Sequence, residues 1–273
     1  MRPKLTIITP SFNQAAFIER TFESVFAQGC ENLEYLVVDG GSTDGSVDII
    51  RRYEDRLAWW VSEPDRGQTD ALNKALRRAT GDIVAYINSD DYYLPGAFDA
   101  AIAALQESGA RWAVGASRFV DADGEVTEVW RPELPTLPRH WWMIAPWGVP
   151  QPSSFWRRDV FEELGPFRED MHYVFDTEHG LRLAYAGIWP ALIDRELAVR
   201  VVHPEAKSWN PEEFARERKR FVELYRPALT STERRRLALA RALSSVGFYR
   251  LTSAVHPVTG PLRRRLKSAA RPR

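Results

Sequence analysis

The sequence predicts an α/β fold: a mostly parallel central sheet flanked by helices, followed by a basic helical C-terminal extension. Three observations carry this. Apolar strand-like runs alternate with amphipathic helical runs through the first hundred residues, with short links, which is the pattern of a parallel sheet covered on both faces. Three of those strands end in polar residues, at Thr9-Pro10-Ser11, at Asp39 and at Ser89-Asp90-Asp91, and ligands of such sheets bind at the carboxyl ends of strands. Charge is also uneven: from Glu212 onward sixteen basic residues stand against five acidic ones, in a chain whose net charge is zero.

The elements follow in order. Leu5 to Thr9 is a short, uncharged, β-branched strand, and "PSFNQ" is a loop. Phe17 to Ala27 sets Ile18, Phe22, Val25 and Phe26 on one helical face. "LEYLVVD" is a second buried strand ending at Asp39. "GGSTDGS" is a turn in which Ser46 or Asp44 can cap the helix "VDIIRRYED". "LAWWVS" is a third strand and "EPDRGQT" a loop. The helix "DALNKALRRA" has an inner face of Ala71, Leu72, Ala75, Leu76 and Ala79, and Gly81 ends it. Ile83 to Ile87 is a fourth strand that runs into "NSDDYYLP".

The second half is less regular. Ala113 to Phe119 and Val126 to Trp130 are two strands around the turn "DADGE". Residues 131–150 are rich in proline and tryptophan. "SSFWRR" is a strand, and "DVFEELG" a short helix ended by Gly165. "FDTEHGLRLAYAG" is a helix with Leu181, Ala184 and Tyr185 inward and Gly187 as its stop. Ala198 to His203 is a final strand, and two charged helices follow Pro211.

Bulk properties narrow the function classes. A chain of 273 residues suits one large domain with a tail. The single cysteine, Cys30, excludes an intrachain disulfide framework and a multi-cysteine metal site, and fits a reducing compartment. "LTIIT" is too short for a secretory core, and no run of about 18 apolar residues occurs, so neither a leader nor a membrane span is expected. There is no GxxxxGK[ST] phosphate loop and no GxGxxG fingerprint, and "GGSTDG" has neither spacing. No recognition motif accompanies the basic tail, so nucleic acid is not an expected partner.

The adjacent carboxylates of Asp90 and Asp91 repel each other, and burial strips their hydration. A hard divalent cation, Mg²⁺ or Mn²⁺, offsets both, because it takes one or two protein carboxylates together with phosphate oxygens. This points to a metal-bridged nucleoside diphosphate, with Asp39 left to hydrogen-bond a base or ribose.

"TIITPSFNQAAFIERTFESVFAQ", "LEYLVVDGGSTDGSVDII", "DRGQTDALNKALRRATGDIVAYINSDD" and "FDTEHGLRLAYAG" resemble, in that order, the blocks of the family 2 glycosyltransferases. That is an inverting group with the A-type nucleotide-sugar transferase fold, and the resemblance spans about residues 4–208. It implies a catalytic domain over 1–210, with a nucleotide-sugar-binding half at 1–100 and an acceptor-side half at 101–210. Residues 211–273 are then the basic extension. Pro10, Ser11, Asn13 and Asp39 are implied nucleotide contacts. Asp44 is either another such contact or a turn residue. Gln68, Asp70, Asn73 and Lys74 fall in a second nucleotide and phosphate region, where Lys74 is equally readable as a solvated helix face. "SDD" stands at the family's DxD-type motif. Ser89 replaces its first aspartate, Asp90 is placed at the ribose and Asp91 at the metal. His203 is a second metal ligand or simply a hydrogen-bonded histidine, and Lys207 and Ser208 are alternative diphosphate contacts.

An inverting transfer needs a base for the acceptor hydroxyl, while the metal stabilises charge growing on the diphosphate. Asp176 matches the family's base; a helix cap is its alternative role. Glu178 is the other candidate, about 200° away around the helix. Glycoside hydrolysis would instead need a carboxylate pair flanking the bond. Trp141, Trp142, Trp147 and Gln151 fall on the acceptor side, where the tryptophans are equally readable as packing, or, with Met143, as membrane contacts. In the tail, "PLRRRLKSAARPR" adds six cations and no acid. It suits an anionic lipid surface or a solvated end. Leu239, Leu243 and Val246 form an apolar stripe there, interrupted by Arg236 and Arg250.

The expectation is therefore transfer of a sugar from a UDP-, GDP- or dTDP-linked donor to a carbohydrate or lipid-linked acceptor. Its place would be the cytoplasm, or the inner face of the cell membrane as a peripheral protein. One rival is a sugar nucleotidyltransferase, whose glycine-rich triphosphate loop is missing. Another is a non-catalytic nucleotide-sugar-binding scaffold, against which Asp91 and Asp176 together speak.

Overall fold

Strands that are apolar on both faces must be covered on both, and the first half of the chain does this. In the computed structural model β1 (Leu5–Ser11), β2 (Leu33–Asp39), β3 (Trp59–Ser62) and β4 (Ile83–Tyr86) are mutually parallel, in the order β3-β2-β1-β4. The structure describes residues 2–132 and 149–238, apart from 205, 208, 209, 233, 236 and 237. All seven residues of β1 are buried. Its side chains alternate between two cores, as a pleated strand requires. Ile8 packs with Leu36, Val38 and the Ala71, Leu72 and Ala75 face of α3 (Gln68–Leu76). Leu5 and Ile7 pack with Ile18, Phe22 and Val25 of α1 (Ile18–Phe26). The helix α2 (Ser46–Arg52) adds Ile50 to the second core.

The same sheet continues through the second half with mixed directions. β8 (Ser154–Arg157) lies antiparallel to β4 and to β6 (Trp112–Val120). β9 (Ala191–Val201) runs parallel to β6. β7 (Val126–Trp130) is antiparallel to β6, and β5 (Tyr92–Tyr93) antiparallel to β9. β5 and the helix α4 (Ala97–Ser108) are additions to the elements expected from sequence. β9 begins at Ala191, seven residues before the expected Ala198. Its early residues Leu192, Asp194 and Arg195 are exposed, so composition hides the strand, and pairing to β6 decides it. At Gly115 a Cβ would stand 2.5 Å from Leu197 Cγ and 2.8 Å from Arg195 O. Only glycine lets β6 and β9 approach this closely.

The helices α5 (Asp159–Leu164) and α6 (Phe175–Tyr185) cover the β8 side, and α7 (Pro211–Tyr225) lies over them. Phe221 and Val222 of α7, and Leu229 after it, belong to the same core as Phe175, Leu181 and Leu183. The first helix after residue 210 thus shares the main core. The charged segment begins as a structural part of the main core because its apolar stripe is needed there. Trp141, Trp142, Met143 and Trp147, and the stripe from Leu239, lie outside the described residues. Among the described residues no helix is long and apolar enough to cross a membrane.

Candidate active site

Parallel register brings Ser11, Asp39 and Ser62 into one row at the carboxyl edge of the sheet. Asp39 is fully buried there. Its Oδ2 accepts from Gly41 N (3.1 Å), Ser42 N (2.8 Å) and Ser62 Oγ (2.7 Å), and Oδ1 from Ser42 Oγ (2.5 Å). Asn13 adopts φ +53°, which asparagine tolerates. Its backbone N donates to Ser42 Oγ (2.7 Å) and its Oδ1 accepts from Thr43 N (3.0 Å). The loops after β1 and β2 are thus zipped together. Pro10 sits one row back, opposite Val38, and the Ser11 Oγ is buried without a partner among the described residues. Asp44 serves the turn: it accepts from Ala15 N (2.8 Å), Ser46 N (3.0 Å) and Ser46 Oγ (2.6 Å).

Phe12 and Asp65 were not singled out by motif reasoning. A Cβ on Gly40 would lie 2.8 Å from Asp65 Oδ2 and 3.2 Å from the Phe12 ring, so both reach the Asp39 corner. Phe12 is 59 % exposed, a bare aromatic face beside buried carboxylates. Periodicity does not mark such residues, because both sit in loops.

The four candidates on α3 differ in the partners they meet. Asn73 is committed elsewhere: Nδ2 donates to Phe167 O (2.8 Å) and Oδ1 accepts from Phe167 N (3.0 Å). Asp70 pairs with Arg66 (3.0 Å) and stands 3.6 Å from Lys74. The Arg66 guanidinium holds its carboxyl below the usual range. Lys74 pairs with Glu63 (3.0 Å) and is largely buried rather than a solvated face. Gln68 remains: Nε2 donates to Asn88 Oδ1 (2.6 Å) and Oε1 accepts from Lys207 Nζ (3.0 Å).

The turn after β4 is held by Thr21 Oγ1, which lies 2.9 Å from Ser89 O and 2.7 Å from Asp91 O. Asp91 is 2 % exposed. Its Oδ1 accepts from Val201 N (3.0 Å), and Asn88 Nδ2 stands 3.4 Å from its Oδ2. Burial and then the Asp90 charge push the Asp91 carboxyl well above the usual range, with Arg200 acting against both. His203 Nε2 lies 3.0 Å from Asp90 Oδ2, and its Nδ1 is buried without a protein partner. The expected histidine therefore meets Asp90 rather than Asp91, because β9 brings its far end across the turn. Carboxylates such as Asp90 and Asp91 are donors that suit Mg²⁺ or Mn²⁺, and such an ion would relieve their mutual repulsion, which Arg200 offsets in part. Among the described residues no group of three or more His, Cys, Asp or Glu side chains is arranged to hold a metal ion. Phosphate oxygens of a substrate would complete the coordination.

Asp176 lies in the first turn of α6 and is half-buried. It does not cap the helix, whose N-cap is Val174. Its Oδ1 accepts from the adjacent Thr177, at N (2.6 Å) and Oγ1 (3.3 Å). Burial raises its carboxyl to about 7, opposed by Thr177 and by the charges of Arg200 and Lys207. Asp176 opens on a cavity lined also by Tyr86, Gln151, Trp156 and His179. Gln151 donates to Tyr86 O (2.9 Å) at its rim. Glu178 points away: it is fully buried, bonded to Arg182 Nε (3.0 Å) and to the Tyr225 hydroxyl. Lys207 Nζ stands 5.3 Å from the Tyr173 ring, and burial lowers it to about 8. Arg200, which no motif singled out, acts electrostatically on both Asp91 and Asp176.

The family model "Glycosyl transferase family 2" matches residues 6–165. The chain belongs to glycosyl transferase family 2. The family match ends before Asp176. An uncharacterized glycosyltransferase of Mycobacterium tuberculosis is 32 % identical to this family 2 chain over 187 residues, covering 67 % of the chain and 69 % of that protein. The putative teichuronic acid biosynthesis glycosyltransferase TuaG of Bacillus subtilis is 42 % identical over 93 residues, 33 % of this chain and 37 % of its own. Among solved structures, the mannosyltransferase PcManGT of Pyrobaculum calidifontis, in complex with GDP-Man and Mn²⁺, is similar with a TM-score of 0.56 and 21 % identity. It covers 93 % of this chain and 84 % of its own. That likeness shows the fold: this family 2 glycosyltransferase has the A-type architecture.

Proposed function

We propose that this glycosyltransferase is inverting and divalent-metal dependent, and moves a hexosyl group from a nucleoside-diphosphate sugar to a hydroxyl acceptor. The observation that carries the reading is Asp176: a half-buried carboxylate held near 7, sharing the field of Arg200 with the Asp90–Asp91 corner. A base poised near the working pH is efficient in both accepting and releasing a proton. Asp39, Asn13, Ser11 and Pro10, joined by Phe12 and Asp65, take the nucleoside. Gln68 positions Lys207 toward the diphosphate. Asp90 and Asp91, with His203 behind Asp90, hold the cation, which when bound neutralises charge on the departing diphosphate. The acceptor proton passes to Asp176 as its oxygen bonds to the anomeric carbon. The electron pair of the breaking C–O bond leaves with the diphosphate.

In this reading residues 1–100 form the donor half and 101–210 the acceptor half. The acceptor is a cell-surface polysaccharide or glycolipid, in line with the name of the Bacillus relative. The basic tail rests on anionic lipid at the inner face of the membrane.

A thermal-shift screen of UDP-, GDP- and dTDP-sugars, with and without Mn²⁺, tests this. A donor at about 100 times its Kd adds about 2.7 kcal/mol of stability, and the shift should require the metal. No shift with any donor would sink the reading. Release of pyrophosphate from a nucleoside triphosphate and a sugar phosphate would replace it with nucleotidyl transfer.

A further inference from the structure

The segment that carries Asp176 is held from α7. Glu217, Arg220, Phe221 and Tyr225 recur at helical spacing on one face of that helix. Glu217 Oε1 accepts from His172 N (2.5 Å), and Oε2 accepts from Tyr173 N and from Val174 N (2.8 Å). Arg220 Nη2 donates to Asp170 Oδ2 (2.8 Å), and the Tyr225 hydroxyl donates to Glu178. Phe221 is buried between them in the core that includes Phe175. These contacts bracket Asp176 on both sides, at 170–174 and at 178.

Residues 172–174 lie just before a helix, where backbone N–H groups have no helical acceptor. One carboxylate takes three in a row, and bonds to a charged acceptor are about twice as strong as neutral ones. Among the described residues no backbone acceptor takes these three N–H groups. Among the described residues Asp176 itself is tied only to its neighbour Thr177, so its place depends on where α6 starts.

We propose that Glu217 is a positioning residue for the transfer reaction: by fixing the turn 172–174 it sets the start of α6 and holds Asp176 against the donor site. The inference rests on the reading of Asp176 as base. Tyr86 on β4, Arg200 on β9 and Lys207 beyond β9 act on the Asp176 carboxyl, and His179 on α6 lines the same cavity. A shifted turn moves Asp176 relative to all of them. It also opens Asp176 to water, and its pKa falls.

The test uses the full chain and two readouts. The first is the ¹³C titration of the Asp176 carboxyl, assigned by its loss in Asp176→Asn, which needs no substrate. The second is nucleoside diphosphate release from UDP-glucose, UDP-N-acetylglucosamine and GDP-mannose with Mn²⁺, in which water takes the place of the acceptor hydroxyl and the sugar is released by hydrolysis. Glu217→Gln keeps the size of the side chain and removes one acceptor oxygen. The expected result is an Asp176 titration displaced from near 7 toward lower pH, with kcat down about tenfold to a hundredfold and donor KM within about twofold. Glu217→Asp should recover part of both. A residue that only stabilises the fold would lower Tm and leave the titration in place; that result overturns the proposal. If Glu217→Gln does not fold, Tyr225→Phe carries the test: a smaller shift in the same direction supports the proposal, and an unmoved titration overturns it. Undiminished turnover in Asp176→Asn would sink the base reading itself. An inactive Asp176→Asn beside a Glu217→Gln with wild-type titration and kcat sinks only the role of Glu217.

Discussion

The Asp39 corner and the helix that carries Asp176 are built in opposite ways. At the donor corner the functional side chains are fixed by close neighbours: Asp39 by Gly41 and Ser42, and Asp44 by Ser46. The partners from farther along the chain come from adjacent parallel strands and their loops, as Ser62 and Asn13 do. Around Asp176 the supports come from Glu217, Arg220 and Tyr225, more than forty residues later, on a helix outside the sheet. A nucleotide can be recognised by a rigid edge that a short motif encodes. A base must sit opposite that edge, so it hangs on a separate element whose placement is a tertiary matter.

Asp176→Asn should show the largest effect that separates the two regions. Transfer is expected to fall by about 10²- to 10⁴-fold, while donor Kd, measured by calorimetry with Mn²⁺, changes by less than about twofold. Equal loss of donor binding would merge the two regions into one. The same substitution has a stability signature. The folded pKa of Asp176, about 7, lies above its unfolded value of about 3.9, so the native state binds the extra proton between those values and loses stability as pH rises through them. Asn should therefore raise Tm at pH 8 more than at pH 4. Wild-type turnover should rise from pH 6 to pH 8 as Asp176 ionises.

Asp91→Ala should strike the donor side alone. Metal-dependent donor binding is expected to weaken at least about tenfold, and the Mn²⁺ dependence of the thermal shift should vanish. The pH position of Asp176 should stay within a few tenths of a unit, since Arg200 remains.

The smallest effect is expected at the opposite end of the strands, far from both regions. Burial there opposes ionisation of Glu34, but bonds from Lys4, Thr6 and Thr80 hold its carboxyl at about 2. Its stabilisation is therefore present above about pH 4.3 and lost as pH falls through 2. Glu34→Gln should cost about 1–2 kcal/mol at pH 7, with the deficit shrinking toward pH 2, and should leave donor Kd unchanged. A change in donor binding would show that the two ends of the sheet are coupled.

Sequence alone determined the parallel donor half and the acidic corner. Strand–helix alternation, the polar strand ends and the run "NSDD" are local patterns, and parallel pairing then aligns Ser11 with Asp39 by necessity. Sequence also placed Asp176 and Glu178 on different sides of one helix, because a helix has a fixed turn. It did not separate Gln68 from Asp70, Asn73 and Lys74, since polar residues on one short helix look alike until their partners are known. Nor could it see that Asn73 is bonded to Phe167, that His203 meets Asp90, or that the Arg200 charge acts on both Asp91 and Asp176. Only the tertiary structure decided that a helix from the basic segment is part of the core and grips the turn before Asp176. Contacts of that kind join residues far apart in the chain, and no periodicity or motif records which distant carboxylate will meet an unpaired backbone N–H.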